Sequence, residues 1–246
     1  VSDILFYFSN LYAGDNSKVY QAIKSGQKIN DQVLNEQKQK YNIQNISYLT
    51  MVDYYYPTNL ILSKQPPFVL YYKGNPQILK NNHIKVYLVN EVYTTFTQKY
   101  ILDNIKQLVE NTTLVTNGYK YTEQELIKLY RKNGGKIIHI AKSGIGYFKL
   151  DMINFENEIV ISKYPLECNI EYENFKNDNY FASLLADQLI YFSSKEKSKT
   201  HHLVNYFLEH GKDVFCFPGY GLNDGNNQLI KNGAKLITYI AETIQI

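Results

Sequence analysis

The sequence predicts an α/β fold, a parallel sheet flanked by helices with a small N-terminal helical domain in front of it. Three observations predict it. From about residue 56, apolar runs of strand length alternate with helical stripes, the pattern of parallel strands joined by helices. Near the C-terminus, Val214 to Phe217 is an apolar run of the length buried on both faces of a sheet, and Pro218-Gly219 ends it. Residues 3 to 47 read differently. Ile4, Leu5, Phe8, Leu11 and Tyr12 recur at helical spacing, Gly14-Asp15 breaks the run, and Val19, Tyr20 and Ile23 begin a second stripe. The expected division is therefore 1–55, helical, and 56–246, the α/β domain.

In chain order, Lys28 to Tyr41 is polar and reads as an exposed helix or loop. Strands are expected at Val86–Val89, Thr113–Val115, Lys136–Ala141, Ile159–Ile161, Leu189–Phe192 and Val214–Phe217, with a last one beginning at Ala234. Helices are expected at Tyr100–Val109, at Thr122–Lys132 and at Thr200–Glu209. Thr122 with Glu125 has capping-box spacing, and Thr200 is placed to cap its helix. Gly225-Asn226-Asn227 opens a short helix with Asn as its cap, and Gly233 is placed to close it in a left-handed conformation. Gly219 follows a strand-ending proline and is expected at positive φ, beside a helix N-terminus able to receive an anion.

The 246 residues are 44% apolar, enough for a sizeable core, and no apolar run approaches the ~18 residues of a membrane helix. The N-terminus lacks a basic stretch before an apolar one, and Cys168 and Cys216 are far apart; a cytoplasmic chain with reduced thiols is expected. A net charge of +3 does not by itself mark a nucleic-acid binder. Arg131 is the sole arginine, so phosphate recognition would rest on lysine point charges, backbone N–H groups and aromatics. Walker and dinucleotide fingerprints are absent, and no nucleophile–base constellation assembles; no cofactor is expected and the chain reads as a non-enzyme. His201-His202 has no cysteine or carboxylate at ligand spacing, so no metal is expected. His139 reads as a core histidine. Tyr54-Tyr55-Tyr56 fits either core packing or stacking on bases.

Three blocks carry a family resemblance. Gly211-Lys-Asp-Val-Phe-Cys-Phe-Pro-Gly219, followed by Gly225-Asn-Asn-Gln-Leu-Ile-Lys-Asn-Gly-Ala234, is similar to "G-(R/K)-(D/E)-V-F-A-V-P-G" and "G-C-N-x-L-I-(R/K)-x-G-A". Tyr56-Pro57 to Leu60 with Pro66-Pro67 to Asn75 resembles "YP-x-x-L…PP-x-V-L-Y-x-(K/R)-G-(N/D)", and Val160 to Pro165 resembles "L-I-S-E-Y-P". The blocks stand in family order, and the family is that of DNA processing protein A (DprA/Smf). The resemblance implies a Rossmann-like parallel sheet flanked by helices. It implies single-stranded DNA as ligand, a part in DNA uptake, transformation and recombination, protection of incoming strands, loading of a RecA-type recombinase, and possible homodimers.

The resemblance also nominates DNA-binding residues. Lys142-Ser143-Gly144 is similar to the family's "G-(T/C)-G-I". Lys176 and Asn179 fall in the segment matching "F-P-x-R-N-R". Lys195, Lys197, Lys199, Thr200, His201 and His202 lie in or just before the segment matching "S-G-S-L-I-T", and Gly219 ends the strand before the last block. The lysine-rich run equally fits a solvated turn. The family's arginine positions are here Val92, Asp178 and Tyr180, and Asp178 is expected to repel DNA. Two other classes stay open. One is a diverged scaffold with a protein–protein or small-ligand role and little DNA affinity. The other is an enzyme cleaving nucleotide–sugar bonds, whose "P-G-G-x-G-T-x-x-E" signature is missing.

Overall fold

The computed structural model describes residues 1–118, 121–149, 153–169, 175–221 and 224–244. In chain order its elements are α1 (Ser2–Leu11), α2 (Asn16–Lys24), α3 (Asp31–Ile43), β1 (Ser47–Thr50), α4 (Thr58–Ile61), β2 (Val69–Gly74), β3 (Ile84–Asn90), α5 (Thr95–Asn111), β4 (Thr112–Thr116), α6 (Tyr121–Lys132), β5 (Lys136–Ile140), β6 (Glu158–Ser162), α7 (Phe175–Leu185), β7 (Gln188–Ser193), α8 (His201–Glu209), β8 (Val214–Cys216), α9 (Gly225–Lys231) and β9 (Lys235–Leu236). They fall into two compact units: Val1–Asn81 with Ile140–Phe175, and Asn82–His139 with Lys176–Ile246. No described helix is long and apolar enough to cross a membrane.

The first unit joins α1 to α4 to an antiparallel set of strands, β1 on β2 and β2 on β6. Asp15 and Asn30 cap α2 and α3, accepting the N–H groups of Lys18 and Val33. The buried face of α1 is Leu5, Phe6, Tyr7, Phe8 and Ser9, whereas Ile4 and Leu11 of the expected stripe are exposed. Phe6 stacks on Tyr48 with ring centroids 4.2 Å apart. A polar chain runs through this core: Tyr41 Oη donates to Asn10 (2.7 Å), Asn10 to Tyr71 Oη (3.2 Å), and Tyr71 Oη to Ser9 (2.9 Å). Burial pushes the Tyr71 phenol well above its ordinary range, so it stays a neutral donor. The polar stretch Lys28 to Tyr41 holds α3, which buries only Leu34 and Tyr41.

The second unit is the expected parallel sheet. The strands pair β5–β4–β3–β7–β8–β9, every pair parallel. Val86 and Leu88 of β3 pack with Ile101, Ile105 and Leu108 of α5 and Leu126, Ile127 and Tyr130 of α6. Tyr87 and Val89, equally buried, point to the opposite face, as alternation along a strand requires. Both faces are covered, which is why these strands read as continuous apolar runs.

Several local expectations are corrected. β6 is a strand as expected, but its pairing with β2 is antiparallel, which the alternation did not foresee. Helix α6 begins at Tyr121, so Thr122 lies inside it and does not cap it. The reciprocal capping box is at α5: Thr94 Oγ1 accepts Thr97 N–H and Thr97 Oγ1 accepts Thr94 N–H. Asp224, not an asparagine, caps α9, its Oδ1 accepting Asn226 N–H at 2.8 Å. Gly233 stands at φ +104°, as expected of the residue after that helix.

Candidate functional site

Strand order in the second unit reverses at β3. The chain climbs outward from β3 through β4 to β5, then restarts on the other side with β7, β8 and β9. In an open parallel sheet the crevice beyond the C-terminal strand ends, at such a switch point, is where ligands bind. Here those ends turn polar: Asn90-Glu91 after β3, Thr116-Asn117 after β4, Ser193-Ser194-Lys195 after β7 and Pro218-Gly219 after β8.

These polar ends form a connected network. Ser193 Oγ lies 2.6 Å from Asn90 Oδ1 and accepts Val92 N–H at 2.9 Å. Glu91 N–H donates to Ser193 O at 3.1 Å. Ser194 Oγ donates to Asn226 Oδ1 at 2.9 Å, and the Asn226 amide donates to Phe217 O (2.9 Å) and Tyr191 O (3.3 Å). Asn226 is fully buried and thus ties β7, β8 and α9 together. A Cβ on Gly225 would stand 2.3 Å from Lys195 O and 2.5 Å from Ser194 Oγ, so only glycine lets α9 approach the β7 exit.

The β7–α8 loop carries Lys195, Lys197 and Lys199, all exposed. Thr200 does not cap α8. It is already helical (φ −70°, ψ −17°), and its hydroxyl lies 2.7 Å from Ser198 Oγ. Its carbonyl accepts from the buried Tyr191 Oη at 2.8 Å, which anchors the loop to the sheet. His201 is half-buried with Nε2 3.4 Å from Ser194 Oγ. Burial holds its imidazole below the ordinary histidine value, the Glu91 charge acting the other way. His202 is exposed.

Gly219 is not at positive φ. The space beside it explains the residue: a Cβ would stand 2.6 Å from Cβ, Cγ and Oδ1 of Asp224. Its N–H donates to Asn227 Oδ1 at 3.1 Å. Lys176 is exposed on α7, and Asn179 Oδ1 accepts from Asn117 at 2.9 Å. Asp178 is buried, so its expected repulsion of a bound strand is corrected: the carboxylate does not face solvent. Lys142, Ser143 and Gly144 belong to the first unit. Lys142 is exposed there, Ser143 O accepts from Ser162 Oγ (2.7 Å), and Gly144 N–H donates to Cys168 O (2.8 Å), which engages that backbone donor. Tyr54, also in the first unit, is exposed under Lys80 Nζ at 4.3 Å, and Tyr56 is buried with its hydroxyl on Pro67 O.

Sequence reasoning missed an aromatic ladder in the second unit. Tyr220 and Phe96 meet edge to face at 5.5 Å, Phe96 meets Tyr100 at 4.8 Å, Tyr100 meets Phe217 at 4.9 Å and Phe217 stacks on Phe192 at 4.9 Å. It runs from the core to the surface beyond β3 and β8, where Phe96 is 39% and Tyr220 81% exposed. The signal was a turn aromatic directly after Pro218-Gly219 and another in the first turn of α5.

The sequence profile of the DNA recombination-mediator protein A family matches residues 147–246. DNA processing protein DprA of Streptococcus pneumoniae is 28% identical over 221 residues, 85% of this chain and 76% of that protein. Its counterpart in Bacillus subtilis is 24% identical over 208 residues, 80% of this chain and 70% of that protein. The chain is similar to DNA processing protein A over most of its length. The solved DNA processing protein A of S. pneumoniae shares the fold at a TM-score of 0.72, with 24% identity, covering 94% of this chain and 81% of that one. That of Helicobacter pylori, whose structure concerns its single-stranded DNA binding mode, gives 0.65 at 21% identity, covering 80% and 94%. Against the motifs that carry the resemblance, the chain departs at its strand exits. Where the resemblance implies arginines, Val92 N–H is tied to Ser193, and Tyr180 packs against Tyr206 (5.6 Å) and His210 (5.2 Å).

Proposed function

We propose that the protein binds single-stranded DNA non-enzymatically, at the C-terminal edge of the parallel sheet in its second unit. The observation that carries the reading is that this edge offers both kinds of group a single strand needs. Lys195, Lys197 and Lys199 are exposed on the loop after β7, and Phe96 and Tyr220 are exposed after β3 and β8. Lysines track a phosphate backbone without reading sequence, and aromatic faces stack on unpaired bases. Lys199 lies in the segment that resembles the family's ligand loop, with Lys195 and Lys197 just before it, and the H. pylori relative is described by its single-stranded DNA binding mode. By the same kinship we propose a cytoplasmic role in DNA uptake and recombination, with the bound strand passed to a RecA-type recombinase and with self-association of the protein. Lys176 and Asn179 are secondary candidates for contacts, as are Lys142, Ser143, Gly144, Thr200, His201, His202 and Gly219.

The test is fluorescence anisotropy with a labelled single strand and its blunt duplex at low salt. The expected result is tighter binding to the single strand, and a loss of about 1 kcal/mol or more for Phe96→Ala or Tyr220→Ala on the single strand alone. Equal affinity for both forms, unchanged by either substitution, would favour the diverged-scaffold reading.

A further inference from the structure

We propose that Glu91 restrains anion binding at this edge: its carboxylate holds the backbone donor that a DNA phosphate would otherwise take. The inference rests on the proposed function for its biological meaning, but on its own geometry for its content.

Lys195 opens the basic loop, and its N–H donates to Glu91 Oε2 at 3.2 Å. Glu91 is held in place by its own backbone. Its N–H donates to Ser193 O, and the next N–H, of Val92, donates to Ser193 Oγ. The carboxylate is close enough to His201 for its charge to act on that ring as well. Glu91 therefore stands against two residues nominated for DNA contact. A second backbone donor on this edge, Asn226 N–H at the start of α9, is likewise taken by a carboxylate of the chain, Asp224. A strand phosphate approaching the Lys195 N–H must displace Glu91 or remain beside its negative charge; both weaken the contact.

Glu91→Gln separates charge from tethering. The amide oxygen can still accept the Lys195 N–H, so the loop keeps its anchor while the repulsion goes. The control is Glu110→Gln, at the exposed end of α5, which removes one negative charge elsewhere in the same unit. Single-stranded DNA affinity should rise about three- to tenfold in Glu91→Gln and its salt slope should steepen by roughly 0.7, one further phosphate contact. Glu110→Gln should leave the slope unchanged.

A second measurement does not use DNA. The Lys195 amide resonance is followed by NMR during titration with inorganic pyrophosphate. In Glu91→Gln it should shift and saturate at lower concentration than in the wild type. Equal responses of the Lys195 amide in the two proteins, or equal effects of the Glu91 and Glu110 substitutions on DNA, would overturn the proposal, as would weaker binding in Glu91→Gln. If neither protein binds single strands but pyrophosphate still distinguishes them at Lys195, the DNA reading fails and the role of Glu91 stands.

Discussion

A Cβ placed on Gly219 would collide with the side chain of Asp224, the residue that caps α9, at 2.6 Å. Gly219→Ala should therefore act by pushing the cap aside, at a cost of about 1 kcal/mol. In an Asp224→Gly background, where no side chain stands in the way, denaturant unfolding should find most of that cost gone. An equal cost in both backgrounds would contradict the mechanism. The need for glycine here was legible, because Pro-Gly after an apolar run marks a strand exit. The cause was not, because close approach of Asp224 depends on where α9 docks. The same holds for Thr200, whose residue type suits a cap but whose backbone is already helical, and for Asp178, whose burial no local pattern announces. The bond of Glu91 to the Lys195 N–H belongs to the fold, since no local pattern brings the two residues together.

Helix α7 ends on a lysine from elsewhere in the chain. Lys212 Nζ donates to the carbonyls of Ser183 (2.7 Å), Leu184 (2.9 Å) and Ala186 (2.5 Å), groups that the end of α7 leaves without helical partners. Lys212→Met should destabilise by about 2 kcal/mol, measured at neutral pH, since three buried acceptors lose a charged donor. Burial holds the Lys212 ammonium down to about 8 from an ordinary 10.5. As pH falls from 10.5 toward 8, the unfolded chain takes up this proton before the folded one does, so acidification across that window favours unfolding through this group. Stability of the wild type relative to Lys212→Met should accordingly rise with pH between 8 and 10.5. A flat difference would mean the ammonium titrates normally. Among elements, the parallel strands were legible because burial on both faces leaves unbroken apolar runs. Helix α7 was not: its first half, Lys176-Asn-Asp-Asn, has no apolar stripe, and its second half is apolar on every side but for Ser183. Strands β1 and β2 were missed too, and the antiparallel direction of β6 is set by its partner β2, which pattern alone does not identify.

For the molecule as a whole, the α/β class followed from alternation, and the family from three motif blocks in order. The first depends on buried apolar runs; the second joins such runs to turn glycines and prolines, several of them exposed or half-buried. The candidate interface was legible only as lysines near a motif. Exposed residues are free to vary, and the aromatic ladder joins positions that are distant in sequence and meet only when β3, β8 and α5 pack. A formal charge of +3 and a single arginine point to weak, strongly salt-dependent and sequence-independent binding. The most direct test is a salt series of single-strand affinity for the wild type and for the triple variant Lys195→Ala, Lys197→Ala, Lys199→Ala. If the loop tracks the phosphate backbone, the variant should bind more weakly, and its log–log salt slope should be shallower by about 2, at roughly 0.7 per lost contact. An unchanged slope, or a wild type that binds no single strand at the lowest salt, would contradict the account.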